Sequence, residues 1–391
     1  MLAPTTDEAE FVFNLVRQIG SPDQAKTRMR EIAQRDPDWN RVHTLASGHG
    51  IVPLLNEAIS EIEEFVPREF VQTVQSQCRN RALENIQYVE RLHELTEAFR
   101  ENQIRAIPFK GPIVADIAYG NISRRWFSDL DFLVVEEDPY ASHEVLRQRG
   151  YKRSEFRGVQ PSTLIDDSIF QWDGEFHFLS EQDDIPVELR HQFVGGDRDT
   201  EKLFSELWQR RTSVMLAGES VPALSPQDRA MILLVHGTKH GWCRLSWLCD
   251  IALLLQQDVA WNELIERAAQ YGWKTASLLG IAVAAELGGI AVPSSVRQQI
   301  SMDPRANIGS SILCALFLTD PTGERLDLDP LTIIVFLNNT PQSAVREAIN
   351  KIISPWPNDY EWVSLSPNLY PLYYFVRPLR MLLRKLKSDR R

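Results

Sequence analysis

Apolar residues recur every three to four positions over most of this chain, and give way to alternation in one central stretch. Residues 1 to about 103 read as helices. Asp7 to Ile19 places Phe11, Leu15 and Ile19 at steps of four, and Ser21-Pro22-Asp23 ends that helix before a second runs towards Gln34. Trp39 to Ala46 and the turn from Gly48 to Pro53 lead into Leu54 to Ile62. After Pro67, a longer pattern to Arg100 sets Leu83, Ile86, Val89, Leu92, Leu95 and Phe99 at threes and fours. That helix is expected to pack on a sheet, with its scattered polar residues on a solvated face.

The period changes at Ile104. An apolar strand to Phe109, a Lys110-Gly111 turn, a helix from Pro112 to Tyr119, a loop with Arg124 and Arg125 and a strand from Leu130 to Val135 follow in order. Asp138 to Gly150 reads as a helix, Tyr151 to Arg157 and Phe176 to Leu179 as strands, and Glu181-Gln182-Asp183-Asp184 as the turn into a strand that carries Glu188. This hairpin is expected to lay its second strand beside the Asp129/Asp131 strand. Gly195 to Thr200 is a polar break, Glu201 to Arg211 a short helix, and Val214 to Leu224 a further strand and loop. Ser225-Pro226-Gln227-Asp228 then opens a helix, with Ser at the N-cap and Pro at the first position. The rest is helical, interrupted by a loop from Pro321 to Pro330. The expected fold class is α+β: a small mixed sheet over 104–224, between helical regions over 1–103 and 225–391.

Asp129 and Asp131 lie two apart at the start of a strand, so both side chains point to one side while Leu130 and Phe132 face the core. Paired carboxylates call for a positive partner. Oxygen ligands at this density favour Mg²⁺ or Mn²⁺ over zinc. Gly111 at a helix start would let phosphates approach backbone N–H groups.

The order Lys-Gly, short helix ending in Tyr, R-x-x-x-D-x-D and apolar strand resembles the catalytic core of the polymerase-β-like nucleotidyltransferase superfamily. Within it, the chain is most similar to a family of uncharacterised bacterial nucleotidyltransferases. The Lys-Gly pair falls on Lys110-Gly111, the Arg on Arg125 and the paired acids on Asp129 and Asp131. The superfamily's third acid is expected at Glu188, within IPVELRHQF; the family's usual Asp-x-His is replaced here by Glu188-x-Arg190, with His191 one place on. The resemblance implies transfer of an NMP from an NTP, ATP being the expected donor, to a hydroxyl of a small molecule, peptide or protein, with release of pyrophosphate. Asp129, Asp131 and Glu188 would be metal ligands and catalytic residues, Glu188 also the general base. Lys110 and Arg125 would neutralise the β- and γ-phosphates.

His236 and His240, four apart, invite a zinc-protease reading, which Gly237 at the catalytic Glu position rules out. The family also has an H-x-x-K-H-x-W segment followed by an Asp, matching His236, Lys239, His240, Trp242 and Asp250. By that resemblance this helix is the far wall of the cleft, with Lys239 or His240 towards the nucleotide or acceptor. His177 and Arg190 are further candidates for the lining.

Composition narrows the partners. A formal charge of -11 argues against a broad nucleic-acid-gripping face, so no stable DNA binding is expected. The N-terminus carries acids where a signal peptide would be basic, and Cys78, Cys243, Cys249 and Cys314 form no C-x-x-C pair, so a cytoplasmic protein is expected. The apolar windows Met231 to Leu255 and Thr275 to Val292 read as buried helices, since charged residues break both. The basic, aromatic tail from Asn368 to Arg391 suits either an amphipathic end helix packing its aromatic face on the body or weak contact with an anionic membrane, an acidic acceptor or RNA. Alternatives to the transferase are a nucleotide-binding sensor without turnover and a toxin-like enzyme acting on tRNA ends.

Overall fold

The computed structural model describes residues 4, 6–134, 139–154, 174–193, 200–257, 259–319, 321–322, 330–338 and 340–388. Val135, Asp138, residues 155–157 of the expected third strand, the 195–199 break, most of the 321–330 loop and the last three residues of the tail lie outside them.

The alternating stretch forms a five-stranded mixed sheet: β1 (Ala106–Pro108), β2 (Leu130–Val134), β3 (Tyr151–Arg153), β4 (Glu175–Ser180) and β5 (Pro186–Arg190), in the order β1-β2-β5-β4-β3. β5 runs parallel to β2 and antiparallel to β4, as the hairpin reading expected. Alternation then sorts the faces. Leu130, Phe132, Val134, Phe176, Phe178, Val187 and Leu189 enter one core, under the long helix Arg68–Glu101. Asp131 and Leu133 point the other way, and Leu133 joins a second core shared by the N-terminal helices and those of the C-terminal half. Residues 212–216 and 219–223 form a separate two-stranded hairpin. The α+β class holds: a small mixed sheet flanked by helices on both sides in sequence.

The Arg68–Glu101 helix departs from its expected role at its middle. At 34 residues it spans about 51 Å. It feeds Val71 and Val74 into one core, and Val89, Leu92, Leu95, Ala98 and Phe99 into the other. Between them Leu83 is 66% exposed, and the inward positions are polar. Asn85 Nδ2 donates to the carbonyls of Ile122 (2.6 Å) and Arg125 (3.1 Å), Tyr88 Oη donates to that of Ser128 (3.1 Å), and Arg81 donates to that of Phe127. Arg81, Asn85 and Tyr88 at i, i+4 and i+7 form a stripe that satisfies the loop before Asp129. They are not a solvated face.

Ser225 caps the helix Pro226–Lys239, accepting from Asp228 N at 3.3 Å. That helix and Lys274–Gly288 are buried, and no described helix is long and apolar enough to cross a membrane.

Candidate active site

Helix Gly111–Tyr119 connects the two sets of charged residues in the central motif. Gly111 has φ +50°, and a Cβ there would stand 3.1 Å from the carbonyl oxygen of Asp129. Only glycine gives this turn its close approach to the Asp129 strand end. Lys110, just before it, sends Nζ to Asp131 Oδ1 at 2.5 Å, with the carboxylate 2% and the lysine 11% exposed. Lys110 is therefore part of the buried site and not a solvated turn residue.

Strand register brings the acids together. Asp131 of β2 is the partner of Glu188 in β5, and Glu188 is the partner of His177 in β4. Two residue pairs further on, Glu175 faces Arg190. Four carboxylates, Asp129, Asp131, Glu175 and Glu188, share this face with the cations Lys110, Arg190 and Lys239. Arg190 pairs with Glu175 and lies over the Phe193 ring at 5.4 Å. Lys239 Nζ reaches Glu175 Oε2 at 3.3 Å, and His177 Nδ1 lies 3.2 Å from Glu188 Oε1.

The charges are unevenly matched. Burial works to raise the Glu175 carboxyl, but Arg190 and Lys239 hold it far below the usual carboxylate range. Glu188 goes the other way: burial, with Asp131 and Glu175 nearby, pushes it up to about 7, although the His177 hydrogen bond opposes this. Burial and Asp131 raise Asp129 to about 6 against the pull of Lys110 and Arg125. Asp131 Oδ2 is buried with no hydrogen-bond partner among the described residues. An orphaned carboxylate oxygen and two carboxyls held reluctant to ionise are what a cation site looks like without its cation.

The donor set fits a divalent ion. Among the described residues, Glu175, His177 and Glu188 each offer a ligand atom, all within 4.8 Å of one another. Asp131 lies beside Glu188 in register, with its free oxygen on the same face. Sequence reasoning missed Glu175 and ranked His177 low. Their signal was alternation, since Glu175 and His177 bracket the buried Phe176, but only strand pairing sets His177 opposite Glu188.

Arg125 sits differently from the other motif residues. Its Nε and Nη2 both bond Asp250, each at 2.8 Å, and Tyr119 Oη donates to the same carboxylate at 2.8 Å. Burial opposes the Arg125 charge, but Asp250 stabilises it and holds it above its ordinary range; Asp129 also acts on it. Arg125 thus ties the central motif to helix Leu245–Leu255 while its charge still reaches the site. Arg124 pairs with Glu57 at the surface.

From the end of helix Pro226–Lys239, Lys239 reaches Glu175. The His240 ring packs, tilted, against His236 (ring centroids 4.6 Å apart) and Trp247 (5.3 Å). Burial, together with Lys239 and Lys110, holds His240 below the usual imidazole range. Gly237 has a structural reason: the Trp242 ring lies where its Cβ would be, at 2.7 Å.

No match was found among the curated proteins. Two solved structures show a partial likeness. One is the antibiotic-resistance factor ANT(2'')-Ia, at 12% identity over 48% of this chain and 92% of that one, with a TM-score of 0.34. The other is an antigenic nucleotidyltransferase-like protein from Paracoccidioides brasiliensis, at 12% identity over 54% and 96%, with a TM-score of 0.30. At these scores neither bears on the fold or chemistry of this chain. The family model described as uncharacterised nucleotidyltransferase matches residues 35–289, which include every site residue described above. The chain belongs to that nucleotidyltransferase family, and its sheet carries an acidic cluster able to hold a metal ion.

Proposed function

We propose that the protein transfers an NMP from an NTP, with ATP as the expected donor, to a hydroxyl of a small molecule, peptide or protein, releasing pyrophosphate. The observation that carries this reading is the cluster on the sheet face: among the described residues Asp131 Oδ2 has no hydrogen-bond partner, and Glu175, His177 and Glu188 bring ligand atoms within 4.8 Å of one another. Asp129, Asp131 and Glu188 are the proposed ligands of Mg²⁺ or Mn²⁺, with His177 and Glu175 beside Glu188. When bound, a divalent cation would neutralise phosphate oxygens and make an acceptor hydroxyl more acidic.

The chain's own residues have separate tasks. Glu188 is the proposed general base that takes the acceptor proton. Lys110 and Lys239 offer charge to the leaving pyrophosphate, and the Gly111 turn gives phosphates access to backbone N–H groups at the start of helix Gly111–Tyr119. Arg125, fixed by Asp250, contributes as a set-back charge. The test is label transfer from each of four α-labelled NTPs in a cell lysate. Label should appear on an acceptor with the wild-type chain and not with the Asp129→Asn/Asp131→Asn variant; equal labelling by both would refute the assignment.

A further inference from the structure

The last helix, Tyr373–Ser388, is built inside out. Its inward positions are Tyr373, Arg377 and Arg380, at i, i+4 and i+7, all buried. Both arginines pair with the buried Asp359, and Tyr373 Oη donates to the carbonyl of Val363 at 2.6 Å. Phe375, Leu379, Leu382 and Leu383, at i, i+4, i+7 and i+8, face solvent, with Phe375 74% and Leu382 57% exposed. The neighbouring helix Pro341–Ile353 repeats the pattern with Val345, Ile349, Ile352 and Ile353, and Val345 is 58% exposed. Single exposed leucines need no explanation, but two packed helices with four-residue apolar stripes mark a surface that something covers.

Charge identifies what covers it. Residues 363–391 carry seven Lys and Arg against one acid, Asp389, in a chain whose net charge is -11. Asp359 takes up Arg377 and Arg380, and the sequence of the same helix continues with Arg384, Lys385 and Lys387. A parallel pairing of this helix with a second copy would set these like charges against each other, and an antiparallel one would set them against the uncharged Leu372, Tyr373 and Tyr374. The aromatic residues Trp362, Tyr374 and Phe375 are exposed beside the leucines. An apolar stripe, an aromatic fringe and a run of basic residues are what an anionic lipid surface selects from a helix lying in its plane. We propose that Tyr373–Ser388 and the adjoining face of Pro341–Ile353 dock the protein on an anionic membrane, independently of the reaction it catalyses.

The experiment is co-sedimentation of the full chain with phosphatidylcholine vesicles, with and without 30% phosphatidylglycerol. The wild-type chain should pellet with anionic vesicles, bind neutral ones far less, and weaken as salt rises. Phe375→Ser/Leu379→Ser/Leu382→Ser should lower the affinity at least about a hundredfold. Arg384→Gln/Lys385→Gln/Lys387→Gln should do so by roughly a hundredfold. Because the serine substitutions fall at exposed positions, the thermal midpoint should stay within about 2 °C of wild type. The proposal is overturned if wild type ignores anionic vesicles or if the serine variant still binds them fully. It is equally overturned if wild type sediments as a dimer that the serine variant dissociates, or if RNA but not vesicles retains the chain.

Discussion

Helix Gly111–Tyr119 has a buried charged cluster at each end, and the two are composed differently. At its C-terminal end, one carboxylate, Asp250, accepts from Tyr119 and twice from Arg125. Acid and donors are matched there. At its N-terminal end, Asp129, Asp131, Glu175 and Glu188 crowd together beside Lys110, Arg190 and Lys239, and Asp131 Oδ2 has no partner among the described residues. A closed cluster fixes geometry, whereas an open one lowers its energy only by taking on a ligand. The difference separates architecture from chemistry within a single motif: Arg125 and Asp129 are four residues apart and belong to opposite kinds.

The comparison is tested most strongly by removing one acid from each cluster. Asp131→Asn should reduce turnover by on the order of a thousandfold and leave the thermal midpoint unchanged or higher, because one excess charge is gone. Asp250→Ala strands the buried Arg125, so it should cost about 3–5 kcal/mol in chemical denaturation. Its turnover per folded molecule should fall far less than that of Asp131→Asn. If Asp250→Ala abolished turnover at full stability, the division between the clusters would collapse.

Smaller effects sharpen the division. Glu175→Gln releases the counter-charge of Arg190 and Lys239 and removes a donor beside Glu188, so metal affinity should drop by about 10–100-fold, measured by Mn²⁺ titration. Gly111→Ala forces a side chain into φ +50° and towards the Asp129 carbonyl. It should cost roughly 1–2 kcal/mol of stability and raise KM for the nucleotide.

pH gives the gentlest probe. Asp129 and Glu188 titrate at about 6 and about 7 in the fold, above ordinary carboxyls. The folded state therefore holds protons that the unfolded chain has already released, and this contribution to stability is complete below about pH 4 and lost as pH rises through 6 to 7. Without metal, the thermal midpoint should fall between pH 5 and pH 8. With Mg²⁺, the fall should shrink, because the ion stabilises the ionised carboxylates. A midpoint indifferent to Mg²⁺ at pH 8 would remove the open cluster from the account.

Much of this was legible in the residues. Alternation put Asp129 and Asp131 on one side, and the acidic turn suggested the hairpin that lays the Glu188 strand beside them, because strand period and turn chemistry are local. Glu175 escaped notice because its importance comes from pairing: β4 must lie against β5 before His177 meets Glu188 and Glu175 meets Arg190. The Arg125–Asp250 bond joins residues 125 positions apart, which no local pattern encodes. Arg81, Asn85 and Tyr88 were read as solvated for the same reason, since the carbonyls they satisfy belong to a loop about 40 residues on. The end helix misleads in the opposite sense. An amphipathic end helix would be expected to pack its aromatic face on the body, but Asp359 draws the arginines in and leaves Phe375 and the leucines outward.

The most direct measurement is calorimetric titration of Mn²⁺, with and without a non-hydrolysable NTP, onto the wild type, Asp131→Asn and Asp250→Asn at pH 8. The account predicts Mn²⁺ binding by the wild type that tightens with nucleotide, is lost in Asp131→Asn and persists in whatever fraction of Asp250→Asn remains folded. Equal Mn²⁺ binding by wild type and Asp131→Asn, or none by either at millimolar ion, would contradict it.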